Sequence, residues 1–232
     1  MKRVLGILIL FAYLFCPATI FAADDKIGVY VAPKLTLALV MMSDVKLYGA
    51  GYGGGVLWEK RASGSESSGA FGGGLAAGYD FSRRFDVPVR AELEYSMFSN
   101  TEVKNDTGGA TLKQEFAVKT LLVNAYYDFK LHSAFTPYVG LGLGMGTIDT
   151  KWSGSGYGAG GSTESTVNNF VWALGGGVGY AVNETLTLDA GCRWVGLGAV
   201  ETNTYSGADL VGAGKTGSLN QLEFKFGLRL TF

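Results

Sequence analysis

Apolar and polar residues alternate without a break over 221–232, where every second position from Leu222 to Phe232 is apolar. The positions between them are polar or small. Successive side chains of a β-strand point to opposite faces, so this pattern predicts a strand with one apolar and one polar face. Comparable strand patterns precede it along the chain. The sequence therefore predicts an all-β chain of eight strands, over 27–40, 69–81, 87–99, 115–130, 136–149, 168–182, 186–198 and 218–232.

The links between these strands alternate in length. Short links are predicted at 82–86, 131–135 and 183–185, and long, Gly/Ser-rich links at 41–68, 100–114, 150–167 and 199–217. In an antiparallel meander the short links share one end of the sheet and the long links share the other. Short periplasmic turns and long extracellular loops are typical of bacterial outer-membrane barrels. The pattern thus predicts an eight-stranded antiparallel up-and-down transmembrane β-barrel with four long extracellular loops.

Glycines indicate which face lies inside. In the strands predicted at 69–81, 136–149 and 168–182, the face opposite the bulky apolar residues is largely glycine. Glycine weakens a strand, and a face in open water has no reason to accept that cost. A narrow lumen has a reason, because large charged side chains from the other strands need space opposite them. The apolar face is therefore predicted to contact lipid.

The polar face would then carry a luminal charge network of five basic and six acidic residues. Near-balance suits an enclosed interior, where an unpaired charge is costly. The network could be the selectivity filter of a narrow passive channel or a set of interlocked ion pairs that fills the lumen. The second is favoured, because eight strands leave little free space. The predicted members are Lys34, Asp80, Arg90, Glu92, Glu94, Asp128, Asp189, Arg193, Glu223, Lys225 and Arg229.

The first residues have the features of a secretory signal peptide. Lys2 and Arg3 precede an apolar run that is too short to span a bilayer, and small residues follow up to Ala23. We expect a signal peptide over 1–23 and a barrel over 24–232. Without Lys2 and Arg3 the charges are 17 basic and 20 acidic, so the net charge is 17 − 20 = −3, and no basic tract indicates nucleic acid. Cys192 is the single cysteine of the predicted mature chain, so neither an intramolecular disulfide nor a cysteine metal site is predicted.

Two local phrases, VRAELEYSMFS at 89–99 and TPYVGLGLGMG at 136–146, join the last strand in carrying a family resemblance. With them the chain resembles the opacity-protein / OmpX-like family of small outer-membrane β-barrel surface proteins. The resemblance implies export to the Gram-negative outer membrane and contact with its lipid and lipopolysaccharide. It also implies insertion by the barrel-assembly machinery, with Phe232 as the assembly signal, and no cofactor.

The predicted long loops carry aromatic residues among Gly and Ser, including Trp58, Trp152, Tyr157 and Tyr205. Aromatic residues with small polar neighbours are typical of recognition surfaces. We therefore expect a surface antigen or adhesin-like binder of an extracellular ligand or host surface. A narrow, porin-like passive channel is the alternative.

An enzyme is the least favoured class. His132, the single histidine, precedes Ser133 in a predicted periplasmic turn. A Ser/His hydrolase needs both groups within hydrogen-bond reach and an acid that orients the imidazole. This turn lies at the wrong end for a substrate in the outer leaflet, and the spacing differs from the His-x-Ser of the barrel deacylases. Neither a catalytic residue, a cofactor site nor a metal site is predicted.

Overall fold

The computed structural model describes the backbone of residues 27–50, 56–62, 66–107, 110–155, 161–206 and 209–232, and side chains over 27–41, 67–100, 115, 117–151, 165–199 and 218–232. The predicted signal peptide lies outside these residues. The strands are β1 (Val29–Ala50), β2 (Val56–Ala62), β3 (Glu66–Asp80), β4 (Val89–Phe98), β5 (Thr101–Thr107), β6 (Ala110–Asp128), β7 (Phe135–Ser155), β8 (Gly161–Ala181), β9 (Leu186–Ser206) and β10 (Asp209–Thr231). A single helical turn, α1 (Ser82–Phe85), follows β3.

The strands form one closed antiparallel sheet. β1 pairs with β3 on one side and with β10 on the other, from Tyr30 opposite Thr231 to Gly49 opposite Gly212. β2 continues the line of β3 along β1, and β5 continues the line of β4 along β6. The described strands thus occupy eight positions around the barrel. The predicted eight-stranded antiparallel barrel is confirmed.

The strands extend much farther than predicted at the end with the long links. The segments 41–68, 100–114, 150–167 and 199–217, which the sequence analysis assigned to loops, contain β2, β5 and long extensions of β1 and β6 to β10. The predicted extent of these loops is therefore wrong. A strand ladder is held by main-chain hydrogen bonds, so Gly-, Ser- and Thr-rich segments can pair without the apolar face on which pattern analysis depends.

The short links are confirmed at the opposite end of the barrel. The first contains α1 and ends at Asp86, whose φ of 55° is left-handed. The others connect β6 to β7 and β8 to β9. This end is called the periplasmic rim below. Among the described residues, no helix is long and apolar enough to cross a membrane.

Apolar side chains cover the outside of the barrel and polar ones fill the lumen. Leu93 and Phe226 are 51% and 54% exposed, whereas Glu94 and Glu223 are 1% and 0% exposed. On β7 the outward positions are apolar from Val139 to Met145 and become polar at Thr147. This band is called the apolar belt below. Its position confirms that the apolar face points outward.

Glycines make room inside the barrel as predicted. A Cβ atom at Gly140 would overlap the Tyr126 ring, and one at Gly78 would overlap the Tyr30 ring. Outward-facing Gly73 is different, because the nearest atom to its Cβ would be the Lys34 carbonyl oxygen at 3.9 Å. The luminal glycines therefore accommodate large neighbours across the sheet.

Candidate functional site

Glu94 on β4 is the centre of the luminal charge network. It receives an ion pair from Lys34 on β1 at 2.7 Å, one from Arg193 on β9 at 2.9 Å, and one from Lys225 on β10. Ser96 also donates a hydrogen bond to it at 3.0 Å. Its side chain is 1% exposed. Three cations from three other strands thus converge on one buried carboxylate.

A second carboxylate, Glu92, lies one inward position closer to the rim. Lys34 Nζ is 2.5 Å from its Oε1 atom, which also accepts a hydrogen bond from the Tyr126 hydroxyl at 3.1 Å. Asn124 donates to the same oxygen at 3.3 Å, and Tyr30 donates to the other at 3.3 Å. Lys34 therefore bridges Glu92 and Glu94. Neutral donors supply the other hydrogen bonds to the Glu92 carboxylate.

The remaining members form pairs around this centre. Arg193 Nε donates to Glu223 at 2.7 Å. Arg90 binds both carboxylate oxygens of Asp128, at 2.7 and 2.9 Å. Such bidentate pairs are among the strongest hydrogen-bonded contacts in proteins.

Arg229 and Asp189 form the last luminal pair, with 3.3 Å between Nε and Oδ2. Asp80 differs from the other ten residues, because it lies at the rim and accepts hydrogen bonds from Ser82. The structure therefore brings ten of the eleven predicted residues into the lumen. Five basic and five acidic groups balance there.

A cavity of about 50 Å³ lies beside this network, against the glycine-rich wall of β7 and β8. Lys34, Asp189, Arg193 and Lys225 contribute to its lining. Arg193 Nη1 and Asp189 Oδ1 are buried without a hydrogen-bond partner in the protein. A space of this size accommodates about three water molecules, which would solvate such atoms. The cavity is a small pocket within the network, with room for water beside these two atoms.

An apolar layer, which pattern analysis missed, closes the lumen on the side of the network away from the rim. All its members are buried, and every one of the eight strand positions contributes at least one of them. Leu122 and Ile148, for example, are completely buried. The members are Ala38, Val40, Ala70, Phe98, Val118, Leu122, Ile148, Val171, Ala173, Val195, Leu197 and Leu219.

This layer is hidden in the sequence because apolar residues occupy both faces of the strands at this height. Leu121, Leu122 and Val123 are consecutive, so the alternation disappears there. The signal that could have found it is the phase of the strand. Leu122 lies two residues from inward-facing Asn124 and must share its face.

Beyond the apolar belt the barrel wall divides into two sheets of four strands. The β8–β9 ladder ends where Trp172 pairs with Gly196, and the β3–β4 ladder ends where Gly72 pairs with Phe98. Farther from the rim, β5, β6, β7 and β8 remain paired in one sheet, and β9, β10, β1 and β2 in the other. Among the described strands, no ladder joins β2 to β5 or the upper parts of β8 and β9.

Asn169 fixes the point where β8 and β9 separate. Its side-chain nitrogen donates to the carbonyl oxygens of Leu197 and Ala199, at 2.9 and 2.7 Å. Between them lies Gly198, whose φ of 80° is left-handed. The Asn169 side chain thus supplies the hydrogen bonds that these two carbonyl groups would otherwise receive from a neighbouring strand. Farther from the rim, the described parts of β8 and β9 are not paired with each other.

Three of the aromatic residues assigned to recognition lie in this upper wall. The backbone places Trp58 on β2, Trp152 on β7 and Tyr205 on β9. Tyr157 lies outside the described residues. These positions belong to paired strands rather than to loops.

The residues considered for catalysis lie at the rim. The Ser133 hydroxyl donates to the Phe135 carbonyl at 3.0 Å and accepts from the Phe135 amide at 3.2 Å, so it stabilises the turn. His132 is exposed beside it. Among the described residues, no group of three or more His, Cys, Asp or Glu side chains is arranged to hold a metal ion.

Phe232, the predicted assembly signal, lies at the seam where the barrel closes. Its amide donates to the Val29 carbonyl at 2.8 Å, and its carbonyl accepts from the Gly28 amide at 3.0 Å. Its side chain is 46% exposed on the outer surface. The main chain of this residue therefore contributes to closure, and its ring faces outward.

Comparisons with known proteins agree with this architecture. The sequence profile of a family described as "Outer membrane protein beta-barrel domain" matches residues 8–232. The outer membrane protein PagN of Salmonella typhimurium is 34% identical over 155 residues, which are 61% of this chain and 64% of PagN. Opacity protein V28 of Neisseria gonorrhoeae is 35% identical over 111 residues, 38% of this chain and 47% of that protein. The chain thus spans less than two thirds of the length of either relative.

Among solved structures, the crystal structure of Neisserial surface protein A is similar in fold. Its TM-score is 0.53 at 20% sequence identity, and the alignment covers 88% of this chain and 97% of that one. At this identity the likeness concerns the fold alone.

Proposed function

The chain belongs to the outer-membrane protein β-barrel family of the Gram-negative outer membrane, and from this premise we propose that it is a non-enzymatic surface-interaction protein. It would act through the part of the barrel wall that extends beyond the membrane, as a surface antigen or an adhesin-like binder. The lower barrel would serve as a rigid anchor in lipid and lipopolysaccharide.

The observation that carries this proposal is the length of the strands relative to the apolar belt. β7, β8 and β9 have 21 residues each. At about 3.3 Å per residue and a tilt of about 40°, such a strand spans roughly 50 Å along the barrel axis. The apolar band of an outer-membrane barrel is only about 25 Å tall. About half of each strand would therefore stand outside the membrane.

The shape of that outer half also supports recognition. It offers the faces of two four-stranded sheets and, among the described strands, edges that no ladder pairs where the sheets part. Exposed edges can add a strand from another protein through main-chain hydrogen bonds, and sheet faces present side chains. A barrel that served only as a membrane anchor would need neither these sheet faces nor these edges.

The lumen argues against the alternative of a passive channel. An ion that entered from the rim would meet balanced ion pairs around Glu94 and then an apolar layer contributed by all eight strand positions. Moving a charge into an apolar environment is costly. The charge network would thus have a structural role, in which its pairs fill the lower lumen and hold opposite strands together.

Two further partners follow from the family as proposals. The barrel-assembly machinery would recognise the last strand, with Phe232 as part of the signal. Lipopolysaccharide would contact the outer surface where the belt becomes polar, near Lys119 and Asp149, which form an ion pair at 2.9 Å.

A truncation that spares the anchor tests the proposal. Each hairpin is shortened to a two-residue turn above the last belt pairs, by replacing 43–65, 99–117, 150–165 and 200–217. The full chain and the truncated chain are displayed on a non-adherent Gram-negative strain, and adherence to cultured epithelial cells and to immobilised matrix proteins is counted. We expect adherence for the full chain and loss of it after truncation.

The amount of protein in the outer membrane and the different migration of unboiled and boiled samples report whether the anchor still folds. Equal adherence of both chains at equal surface abundance would refute the assignment. A matched control shortens only the hairpin at 100–114, which leaves the β9–β10–β1–β2 sheet intact.

A further inference from the structure

The link between β3 and β4 is a rigid turn at the periplasmic rim. Asp80 Oδ1 accepts hydrogen bonds from the Ser82 amide at 2.9 Å and the Ser82 hydroxyl at 2.6 Å. The Phe85 amide donates to the Phe81 carbonyl at 2.9 Å. These bonds hold α1 in one orientation at the base of β3.

One side of this turn is an aromatic patch that continues the apolar belt. The rings of Tyr79 and Phe81 lie 4.8 Å apart, and Phe85 lies 6.5 Å from the first and 6.2 Å from the second. Tyr79 shares the outward face of β3 with Leu75, which is 60% exposed. Phe85 is 57% exposed. Aromatic residues at this height are typical of the membrane–water interface.

Among the residues that the structure describes, the charged groups around the patch are paired, except for one. Arg83 donates to the Glu184 carbonyl at 2.8 Å and lies 3.9 Å from Asp80. Lys130 donates to Asp86 at 2.5 Å, and this hydrogen bond lowers the pKa of the Asp86 carboxyl.

Arg84 is the exception among these rim charges. In the described part of the chain it has neither an ion pair nor a hydrogen bond, and its guanidinium carbon lies 5.8 Å from the centre of the Phe85 ring. Its side chain is exposed. The Arg84 guanidinium is thus available to bind an anion, beside aromatic rings that would face the acyl chains of the membrane.

We propose that Arg84 and Phe85 form a binding site for the phosphate of an anionic phospholipid in the periplasmic leaflet. The guanidinium fork matches two phosphate oxygens, and its stacking on an aromatic ring keeps it in place. The rings of Tyr79 and Phe81 contact the first methylene groups of the same lipid. A soluble phosphate would gain only the first of these two interactions.

The site is independent of what the upper wall binds, since it lies at the opposite end of the barrel. It depends only on insertion in the outer membrane. Its role is to fix the depth of the barrel base in the leaflet, because a headgroup held at Arg84 sets the height of the aromatic patch.

Native mass spectrometry of the full chain in detergent micelles tests the site, with phosphatidylglycerol, phosphatidylcholine and inorganic phosphate as three separate probes at constant salt. Arg84→Gln should weaken phosphatidylglycerol binding about fivefold, the scale of one basic side chain at an anionic surface. Lys130→Gln removes an equal charge from the same rim and is the matched control, with less than a twofold change expected. Arg84→Lys should be intermediate, because it keeps the charge and loses the fork.

Three outcomes would overturn the proposal. Arg84→Gln could bind phosphatidylglycerol as tightly as the parent, or Lys130→Gln could weaken binding equally, which would indicate attraction by the rim as a whole. Inorganic phosphate could displace the lipid at comparable concentration, which would indicate an adventitious ion only. Arg84 is exposed and has no hydrogen bond to the described residues, and the shift between unboiled and boiled samples verifies that each variant is folded.

Discussion

Arg193 and Glu94 are 99 residues apart in sequence and meet across the lumen, with 2.9 Å between Nη2 and Oε1. Arg193 extends from β9 and Glu94 from β4, and these strands are not neighbours in the sheet. The contact therefore crosses the barrel rather than following its wall. It joins opposite sides of the molecule in the layer just below the apolar closure.

Replacing Glu94 should destabilise the barrel strongly. Glu94→Gln leaves three converging cations without their shared carboxylate, and breaking a buried pair typically costs about 3–5 kcal/mol. The free energy of unfolding, measured with guanidinium chloride in lipid vesicles, should fall by an amount of that order. Asp149→Asn, at the exposed pair with Lys119, is the control and should have little effect. Equal stability of the parent and Glu94→Gln would show that the network does not hold the strands together.

The purified protein should not conduct ions. The apolar layer that includes Leu122, Ile148 and Val195 crosses the lumen, and a charge cannot pass it without a large desolvation cost. Planar bilayers should show no defined conductance steps, whereas a general porin under the same conditions should. Regular steps whose ion selectivity changes in Glu92→Gln or Arg193→Gln would establish the channel instead.

Two glycine-to-alanine substitutions should separate the effect of crowding in the lumen from the effect of the low strand propensity of glycine. At Gly140 a Cβ atom would overlap the Tyr126 ring, so Gly140→Ala should destabilise by about 1–3 kcal/mol. At Gly69 no atom lies within 4 Å of the added Cβ, so Gly69→Ala should be neutral or slightly stabilising. Thermal unfolding of both variants in the same detergent is the measurement. A larger loss for Gly69→Ala would contradict the assignment of faces.

Replacing the Phe232 ring should reduce assembly more than stability. Phe232→Ala keeps the main-chain hydrogen bonds to Val29 and Gly28 and removes only the outward ring. We expect less protein in the outer membrane and more in the periplasm, with near-normal stability after refolding in vitro. Phe226→Ala, which removes an outward ring of β10 within the apolar belt, is the control. Normal surface abundance of Phe232→Ala would refute the assembly signal.

The alternation of apolar and polar residues was sufficient to predict the barrel and, in its lower part, the face of the strand residues outside the apolar layer. Glu94, Arg193 and Glu223 could be placed inside from their position in the pattern alone, because a strand has a period of two residues. The glycines opposite them indicated the crowded side, and Gly140 against Tyr126 shows why. The sequence could not indicate that Lys34, Arg193 and Lys225 converge on one carboxylate. Partners across a lumen depend on register and closure, which join strands that are far apart in sequence.

Two features were decided by the tertiary structure. The upper wall is built from segments rich in Gly, Ser and Thr, whose pairing depends on main-chain hydrogen bonds that leave no hydrophobic period. The apolar layer lies where both faces of the strands are apolar. Strand phase places Leu122 on the inner face, and only the closed barrel shows that it packs there with residues from the other strand positions. The local sequence pattern indicates whether a side chain points into or out of the barrel. Closure of the sheet decides which residues that side chain contacts.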